Sequence, residues 1–214
     1  KVTALDKNDK LLAEVTARVL RLATFKDIEP GYWARQPVEE LATLGIINGY
    51  TDGAFRPNGP ISRAEFATIL AKLKGSSSME GKTAAYPDVP ADYWAARYIA
   101  AAAGQGLITG YPDQTFRPTY DINRVEAIVI IARFADLTVS PAEPVVSYYA
   151  DIAPQHWAVK LVESARRAGY LDYIKGAMFE PEKVFTRGEA CYVLSRTAFV
   201  EQHHDRLLDF ERGY

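Results

Sequence analysis

The chain has 214 residues, of which 48% are apolar and 24% are charged, so it can bury a substantial core in one or two domains. Its 25 Lys and Arg residues are scattered among 27 Asp and Glu residues, which argues against a basic surface for nucleic acid or an anionic membrane. No apolar run approaches the ~20 residues that span a bilayer, so we expect no membrane span. Because the first residue is Lys1 and not Met, we expect a processed chain or a fragment.

Residues 1–24 are predicted to contain an N-terminal helix that packs on the rest of the chain. Between Leu11 and Leu22, apolar residues recur at the i, i+4 and i+8 spacing of one helix face. The pattern therefore assigns this segment to a helix that precedes the repeats described next.

A pattern whose last position lies 36 residues after its first occurs three times without a gap. In each copy an Asp is followed after six residues by a Trp, after twelve more by a Gly, after ten more by a Phe and after eight more by an Arg. The equivalent residues are Asp27, Asp88 and Asp151; Trp33, Trp94 and Trp157; Gly45, Gly106 and Gly169; Phe55, Phe116 and Phe179; and Arg63, Arg124 and Arg187. We assign the repeats to residues 25–74, 86–137 and 149–200, joined by Gly-, Ser- and Pro-rich linkers, and residues 201–214 to a closing helix or a connection.

Each repeat is predicted to be a helix, a turned loop and a second helix. The repeated glycine ends the first helix, and the second begins at Ser62, Asn123 or Thr186, each followed three residues later by the Glu of a capping box. Pro37 falls inside the first helix of repeat one and is expected to delay its start. Because two helices with one apolar face are not stable alone, we expect an all-α, pseudo-threefold bundle closed by the three repeats.

The repeated Arg follows the N-cap and is not needed for capping. Arg63, Arg124 and Arg187 stand beside helix N-termini, where free amides favour negative charge, so they predict three receptors for a carboxylate or phosphate. A surface salt bridge explains any one copy, but three copies in register favour a site. The repeated Asp either contacts a ligand or caps a helix or turn, and part of each Trp is expected to be buried.

The pattern resembles the S-layer homology (SLH) domain, a cell-wall anchoring module usually present as three tandem copies. The resemblance covers residues 25 to about 200. The segments that carry it are Phe25-Lys26-Asp27-Ile28, Tyr86-Pro87-Asp88-Val89 and Tyr149-Ala150-Asp151-Ile152, Gly45 to Tyr50 and Gly106 to Tyr111, Phe55-Arg56-Pro57 and Phe116-Arg117-Pro118, and the capped elements that begin at Ser62, Asn123 and Thr186.

The resemblance implies a three-pronged spindle with the Arg-bearing helices at its centre and ligand grooves between the prongs. It also implies a ligand, a secondary cell-wall polymer attached to peptidoglycan and commonly carrying a pyruvate ketal on N-acetylmannosamine. A ketal carboxylate suits the Arg, the Trp offers a flat face to the sugar, and the Asp accepts from hydroxyl or amide groups. We therefore expect a secreted, monomeric, non-catalytic module of a larger protein at the bacterial cell surface, without a cofactor.

The family pattern predicts that a groove combines the Arg of one repeat with the Asp and Trp of the next. The expected sets are Arg63 with Asp88 and Trp94, Arg124 with Asp151 and Trp157, and Arg187 with Asp27 and Trp33. Gly59, a further candidate ligand-binding residue, is replaced by Tyr120 and Lys183 in the other loops. Repeat three has Asp172-Tyr173 in place of the Gly-Tyr turn and Glu180 in place of an Arg, so we expect unequal grooves.

Two other function classes remain open from the residues alone. The same grooves could serve a protein-interaction or lattice-assembly module. A glycosidase would need two acids that converge about 5–10 Å apart in one cleft, and threefold repetition argues against such a single site. His156, His203 and His204 do not form a metal set, and Cys191 lies in an apolar stretch typical of a core residue.

Overall fold

A computed structural model of the chain describes the backbone of residues 2–5, 8 and 11–15 and the full structure of residues 22–75, 86–138 and 146–200. These residues contain six complete helices and one two-stranded sheet, and residues 198–200 are also helical. The helices are α1 (Arg35–Thr43), α2 (Arg63–Leu73), α3 (Ala96–Gly104), α4 (Arg124–Phe134), α5 (Val159–Arg167) and α6 (Arg187–Ser195). None of the described helices is long and apolar enough to cross a membrane.

In the described residues of the N-terminal segment, a hairpin takes the place of the predicted helix. Strands β1 (Val2–Leu5) and β2 (Leu11–Val15) are antiparallel, with Val2 opposite Val15 and Leu5 opposite Leu11. The prediction failed because a spacing of four residues is also an even number, so it fits one face of a strand as well as one face of a helix. The Asn and Asp residues between the two strands favour a turn there.

The capped second helix of each repeat packs against the first helix of the following repeat. The pairs are α2 with α3, α4 with α5 and α6 with α1. Nine of the eleven residues of α2 are buried, and its apolar side chains point in all directions, which is the pattern of a helix enclosed by others. The core therefore lies between repeats, as expected for helix pairs that cannot be stable singly.

Three backbone hydrogen bonds close the repeats into a ring. The amide of Ile122 donates to the carbonyl of Ile61 at 3.1 Å, that of Phe185 to Ile122 at 2.9 Å, and that of Ile61 to Phe185 at 3.2 Å. Each repeat thus donates to the one before it, and the third repeat accepts from the first. This arrangement confirms the predicted closed, pseudo-threefold helical bundle.

The helix ends follow the sequence in most details. Gly45, Gly106 and Gly169 end the first helices in the left-handed conformation, with φ of 68°, 69° and 78°. The capping boxes of α2 and α6 are complete, but in α4 the carboxylate of Glu126 does not return to the N-cap amide. The prediction for Pro37 was wrong: α1 starts at Arg35, in register with α3 and α5, because amides in the first helical turn need no intrahelical partner.

The assigned repeat boundaries 25–74, 86–137 and 149–200 contain all six helices. Between the assigned repeats only Gly75, Thr138 and residues 146–148 are described, and the predicted C-terminal segment 201–214 lies outside the described residues. The assignments of the linkers and of this segment stay predictions.

Candidate ligand grooves

The repeated Arg side chains reach into the turned loop of the following repeat. Arg63 donates from Nε to the carbonyl of Phe116 and from Nη2 to that of Thr109, both at 2.9 Å. Arg187 donates in the same way to Phe55 at 3.0 Å and to Asn48 at 2.6 Å. The three Arg residues are only 3–4% exposed, so part of their role is to hold the neighbouring loop.

The helix N-termini do not offer free amides, contrary to the prediction. The amide of Arg63 donates to the carbonyl of Tyr120 at 2.9 Å, and the next amide, that of Ala64, donates to Pro118 at 3.0 Å. The equivalent bonds run from Arg124 to Lys183, from Val125 to Pro181, from Arg187 to Gly59 and from Gly188 to Pro57. These inter-repeat bonds use the donors that an anion would need, so an anion site here depends on side chains. Gly59 takes part through its backbone carbonyl.

The repeated Asp residues hold the loops of their own repeats. Each carboxylate accepts from two consecutive amides at 2.6–2.8 Å, and the second of these residues has a positive φ of 56–57°. The pairs are Asp27 with Phe55 and Arg56, Asp88 with Phe116 and Arg117, and Asp151 with Phe179 and Glu180. Desolvation raises the pKa of Asp27, but these hydrogen bonds outweigh it and the net pKa is lowered. The carboxylates therefore stabilise turns.

The Arg63 groove is a cavity of about 280 Å³ to which all three repeats contribute. Arg63 comes from repeat one and Trp157, which is 63% exposed, from repeat three. Repeat two supplies the rest of the lining, namely Thr109, Gly110, Tyr111, Glu126, Val129, Ile130 and Arg133. The guanidinium of Arg63 lies 4.5 Å from the centre of the Tyr111 ring, and its Nη1 has no hydrogen-bond partner in the described part of the chain.

The Arg187 groove has the same construction and a volume of about 460 Å³. Trp94, 54% exposed, takes the place of Trp157, and the cations Lys72 and Arg97 also line the cavity. Nη1 of Arg187 is 3.9 Å from the carboxylate of Glu65. This groove thus combines three positive side chains with one carboxylate.

The predicted pairing of Arg with Asp and Trp is therefore wrong in part. Arg63 shares a groove with Trp157 and Arg187 with Trp94, whereas Asp88 lines a separate cavity beside Arg117. The reason is the packing of the helices. The Arg of one repeat enters the loop of the next repeat. The capped helix of that second repeat packs on the first helix of the third repeat in the ring, and the Trp stands just before this first helix.

The third set of equivalent residues does not come together in one groove. Trp33 lines a cleft of about 520 Å³ with Gln36, Glu40, Tyr192 and Arg196, and Arg124 is not part of that lining. Tyr173 stacks on Trp33, with ring centres 5.1 Å apart and an interplanar angle of 11°. We call this region the Trp33 cleft.

Arg124 is neutralised within the protein. Its Nη2 is 2.6 Å from Glu189, and its Nη1 is 3.2 Å from Glu180 and bonded to the Phe179 carbonyl. Burial lowers the pKa of Arg124, but the charge of Glu189 outweighs it and the net pKa is raised. A permanently charged guanidinium with two carboxylates at this distance is not a receptor for a further anion.

Sequence reasoning missed the second cation of each groove. Lys72, Arg133 and Arg196 each stand nine residues after the repeated Arg and line the Arg187 groove, the Arg63 groove and the Trp33 cleft. This register was visible in the sequence. Arg97, in contrast, has Gln36 and Lys160 at the equivalent positions, so the repeats share no arginine there.

The first two repeats match a known family model. The model is described as the S-layer homology domain, and it matches residues 24–67 and 85–128. These two segments of the chain are therefore similar to S-layer homology (SLH) domains. The matched segments include Arg63, Arg124, Trp33 and Trp94, while the third repeat lies beyond the matched residues.

The known proteins to which this chain is similar are much longer than the chain. The chain is 35% identical over 161 residues to Cell surface glycoprotein 1 of Acetivibrio thermocellus, a match that covers 70% of this chain and 7% of that protein. It is 31% identical over 176 residues to the Cellulosome-anchoring protein of the same organism, covering 79% and 36%. It is 32% identical over 99 residues to the Surface layer protein of Brevibacillus choshinensis, covering 45% and 9%. The chain thus spans at most about a third of these relatives.

Proposed function

We propose that this chain is a non-catalytic anchoring module that binds a secondary cell-wall polymer at the bacterial cell surface. The observation that carries the proposal is that two grooves each combine a guanidinium with an exposed Trp brought from another repeat. The two segments that are similar to SLH domains, and the names of relatives that are cell-surface, anchoring and surface-layer proteins, support it.

The ligand in these grooves is an acidic sugar, and we infer a pyruvate ketal on N-acetylmannosamine. In the Arg63 groove, Nη1 of Arg63 and the side chain of Arg133 are the donors for the ketal carboxylate. In the Arg187 groove, Lys72 and Arg97 add charge to Arg187. A charge-assisted hydrogen bond of this kind contributes roughly 1.5–3 kcal/mol, and the Trp face packs on the sugar or the ketal methyl.

The third repeat completes the module as an SLH domain in this proposal. Its Asp151, Trp157 and Arg187 occupy the repeated positions, and Arg187 and Trp157 each line one of the two open grooves. The match to the Cellulosome-anchoring protein covers 79% of the chain, a larger share than residues 1–138 make up, so the similarity extends into this repeat. Both grooves depend on the third repeat.

Two grooves on one module suit attachment and not turnover. A polymer with repeated acidic sugars can occupy both grooves at once, and the second contact then forms at a high effective concentration. Modest affinity at each groove thereby gives lasting attachment of a larger protein to the wall.

The test is binding of the chain to purified cell walls that carry a pyruvylated polymer. We expect saturable co-sedimentation that disappears when the ketal is hydrolysed, and that also disappears on walls stripped of the polymer. The double variant Lys72→Ala, Arg97→Ala should weaken binding, because both side chains lie in the Arg187 groove without holding a loop of another repeat. Equal binding to walls with and without pyruvate would overturn the acidic-sugar proposal and favour a protein-interaction module.

A further inference from the structure

We propose that Tyr173 closes the third groove, so that the module has two anion-binding grooves and not three. This inference rests on the proposed function for the ligand, but the closure itself follows from the packing of described residues. In this proposal, Tyr173 is the residue that limits the number of binding grooves to two.

In the gapless register of the repeats, Tyr173, and not Asp172 as the sequence prediction had it, stands at the glycine position of the Gly-Tyr turn. Gly49, Gly110 and Tyr173 each follow the helix-ending glycine by four residues. A Cβ on Gly49 would lie 2.3 Å from Cε1 of Phe25, and a Cβ on Gly110 would lie 2.4 Å from Cε1 of Tyr86. The loops of the open grooves therefore accept no side chain at this position.

The third loop takes a different path that accommodates the side chain. The amides of Tyr50 and Tyr111 donate at 2.8 Å across their turns, to Ala54 and Thr115. The equivalent amide, that of Ile174, donates instead to the carbonyl of Leu171 at 2.9 Å. The local change directs the Tyr173 ring into the space between Arg124 and Trp33.

The ring of Tyr173 is held on several sides. It stacks on Trp33 at 5.1 Å and meets the Tyr192 ring at 5.3 Å with an angle of 66°. Burial, followed by the negative charge of Glu189, raises the pKa of Tyr173 well above its usual range, as expected for an enclosed phenol. One face of the Trp33 indole is thus covered here by a protein ring, while 45% of the Trp33 surface stays exposed.

The charge of Arg124 is compensated at the same time. Glu180 occupies the position of Arg56 and Arg117, and all three residues share a positive φ of 56–57°. Glu180 lies 3.2 Å from Nη1 of Arg124. Substitution of Glu180 by Arg keeps a residue type that this backbone conformation already holds twice in the chain.

The experiment is a calorimetric titration with the methyl glycoside of pyruvylated N-acetylmannosamine. We expect two sites in the unmodified chain and three in the double variant Tyr173→Gly, Glu180→Arg. Adding Trp33→Ala to that variant should return the number to two, which locates the new site. If Tyr173→Gly lowers the melting temperature of the chain, Tyr173→Ala replaces it in a second double variant with Glu180→Arg. Three sites in the unmodified chain would overturn the proposal. Two sites in the Glu180→Arg chain with either Tyr173→Gly or Tyr173→Ala would also overturn it.

A second measurement separates closure from ligand identity. In a chain with Trp94→Phe and Trp157→Phe, acrylamide quenching reports on Trp33 alone. We expect stronger quenching after Tyr173→Gly, and unchanged quenching would overturn the closure. If the unmodified chain binds none of the glycoside, the proposed function fails, and the quenching result alone decides whether Tyr173 covers the third groove.

Discussion

The backbone amide of Arg187 donates to the carbonyl of Gly59 at 3.0 Å and so joins the third repeat to the first. The side chain of Arg187 adds bonds to the carbonyls of Phe55 and Asn48. One residue therefore closes the ring and also lines a groove. Stability and binding are linked at this position, and variants have to be chosen so that the two effects can be told apart.

Arg187→Ala should destabilise the whole ring. The substitution leaves two carbonyls of repeat one without their charged donors, so we expect a loss of about 2–5 kcal/mol in the free energy of unfolding. Urea denaturation followed by circular dichroism measures it. Arg56→Ala is the control, because its ion pair with Asp52 is exposed and worth at most about 1 kcal/mol. Equal losses for both variants would contradict a closing role for Arg187.

Trp94→Ala and Trp157→Ala should each weaken binding to the pyruvylated polymer about fivefold to tenfold, the effect of losing roughly 1–1.4 kcal/mol of stacking on a sugar. Both indoles are more than half exposed, so folding should be retained. Trp33→Ala is the matched control from the closed groove and should leave the affinity unchanged. Surface plasmon resonance on immobilised polymer distinguishes the three. Equal effects of all three substitutions would show that the grooves are equivalent.

Asp27→Asn should reduce stability at pH 7 without reducing affinity of the folded chain. The carboxylate holds two amides, and we expect a loss of about 1–2 kcal/mol after allowance for its exposure. The folded pKa of Asp27 is lowered below 3.8, so its stabilisation is complete above pH 3.8 and is lost as the pH falls below that value. The free energies of unfolding of the two chains should therefore converge as the pH falls below about 4. A difference that persists unchanged in acid would contradict the assignment.

Gly110→Ala should be costly for steric reasons. The added Cβ would lie 2.4 Å from Cε1 of Tyr86 and 2.7 Å from the carbonyl oxygen of Thr115, so we expect a loss of about 1–3 kcal/mol in the free energy of unfolding. Gly104→Ala is the control, since nothing lies within 4 Å of its Cβ position and alanine favours the helix there. Thermal unfolding of the two variants should shift in opposite directions, and parallel shifts would refute the steric argument.

Local signals in the sequence predicted the repeats, their helices and their caps. A glycine at the end of a helix and a Ser, Asn or Thr at its start act over three or four residues, and the structure confirms them. Where the same spacing of apolar residues fits a helix and a strand, the sequence alone could not decide between them. Leu11–Val15 fits both helix and strand, and the pairing with Val2–Leu5 decided between them. The effect of Pro37 depended on where α1 begins, and no local pattern defines the first residue of a helix exactly.

The sequence by itself determined that three equivalent helical units share one core, because repeated spacing and apolar faces need no knowledge of distant contacts. The tertiary structure alone decided which Arg meets which Trp, because helix packing between repeats brings residues from all three units to one groove. It also decided that the helix amides and the Asp carboxylates are engaged by backbone groups, since such partners carry no side-chain signature. Tyr173 was visible as a departure from the repeat, but its place against Trp33 emerges only when the ring is closed.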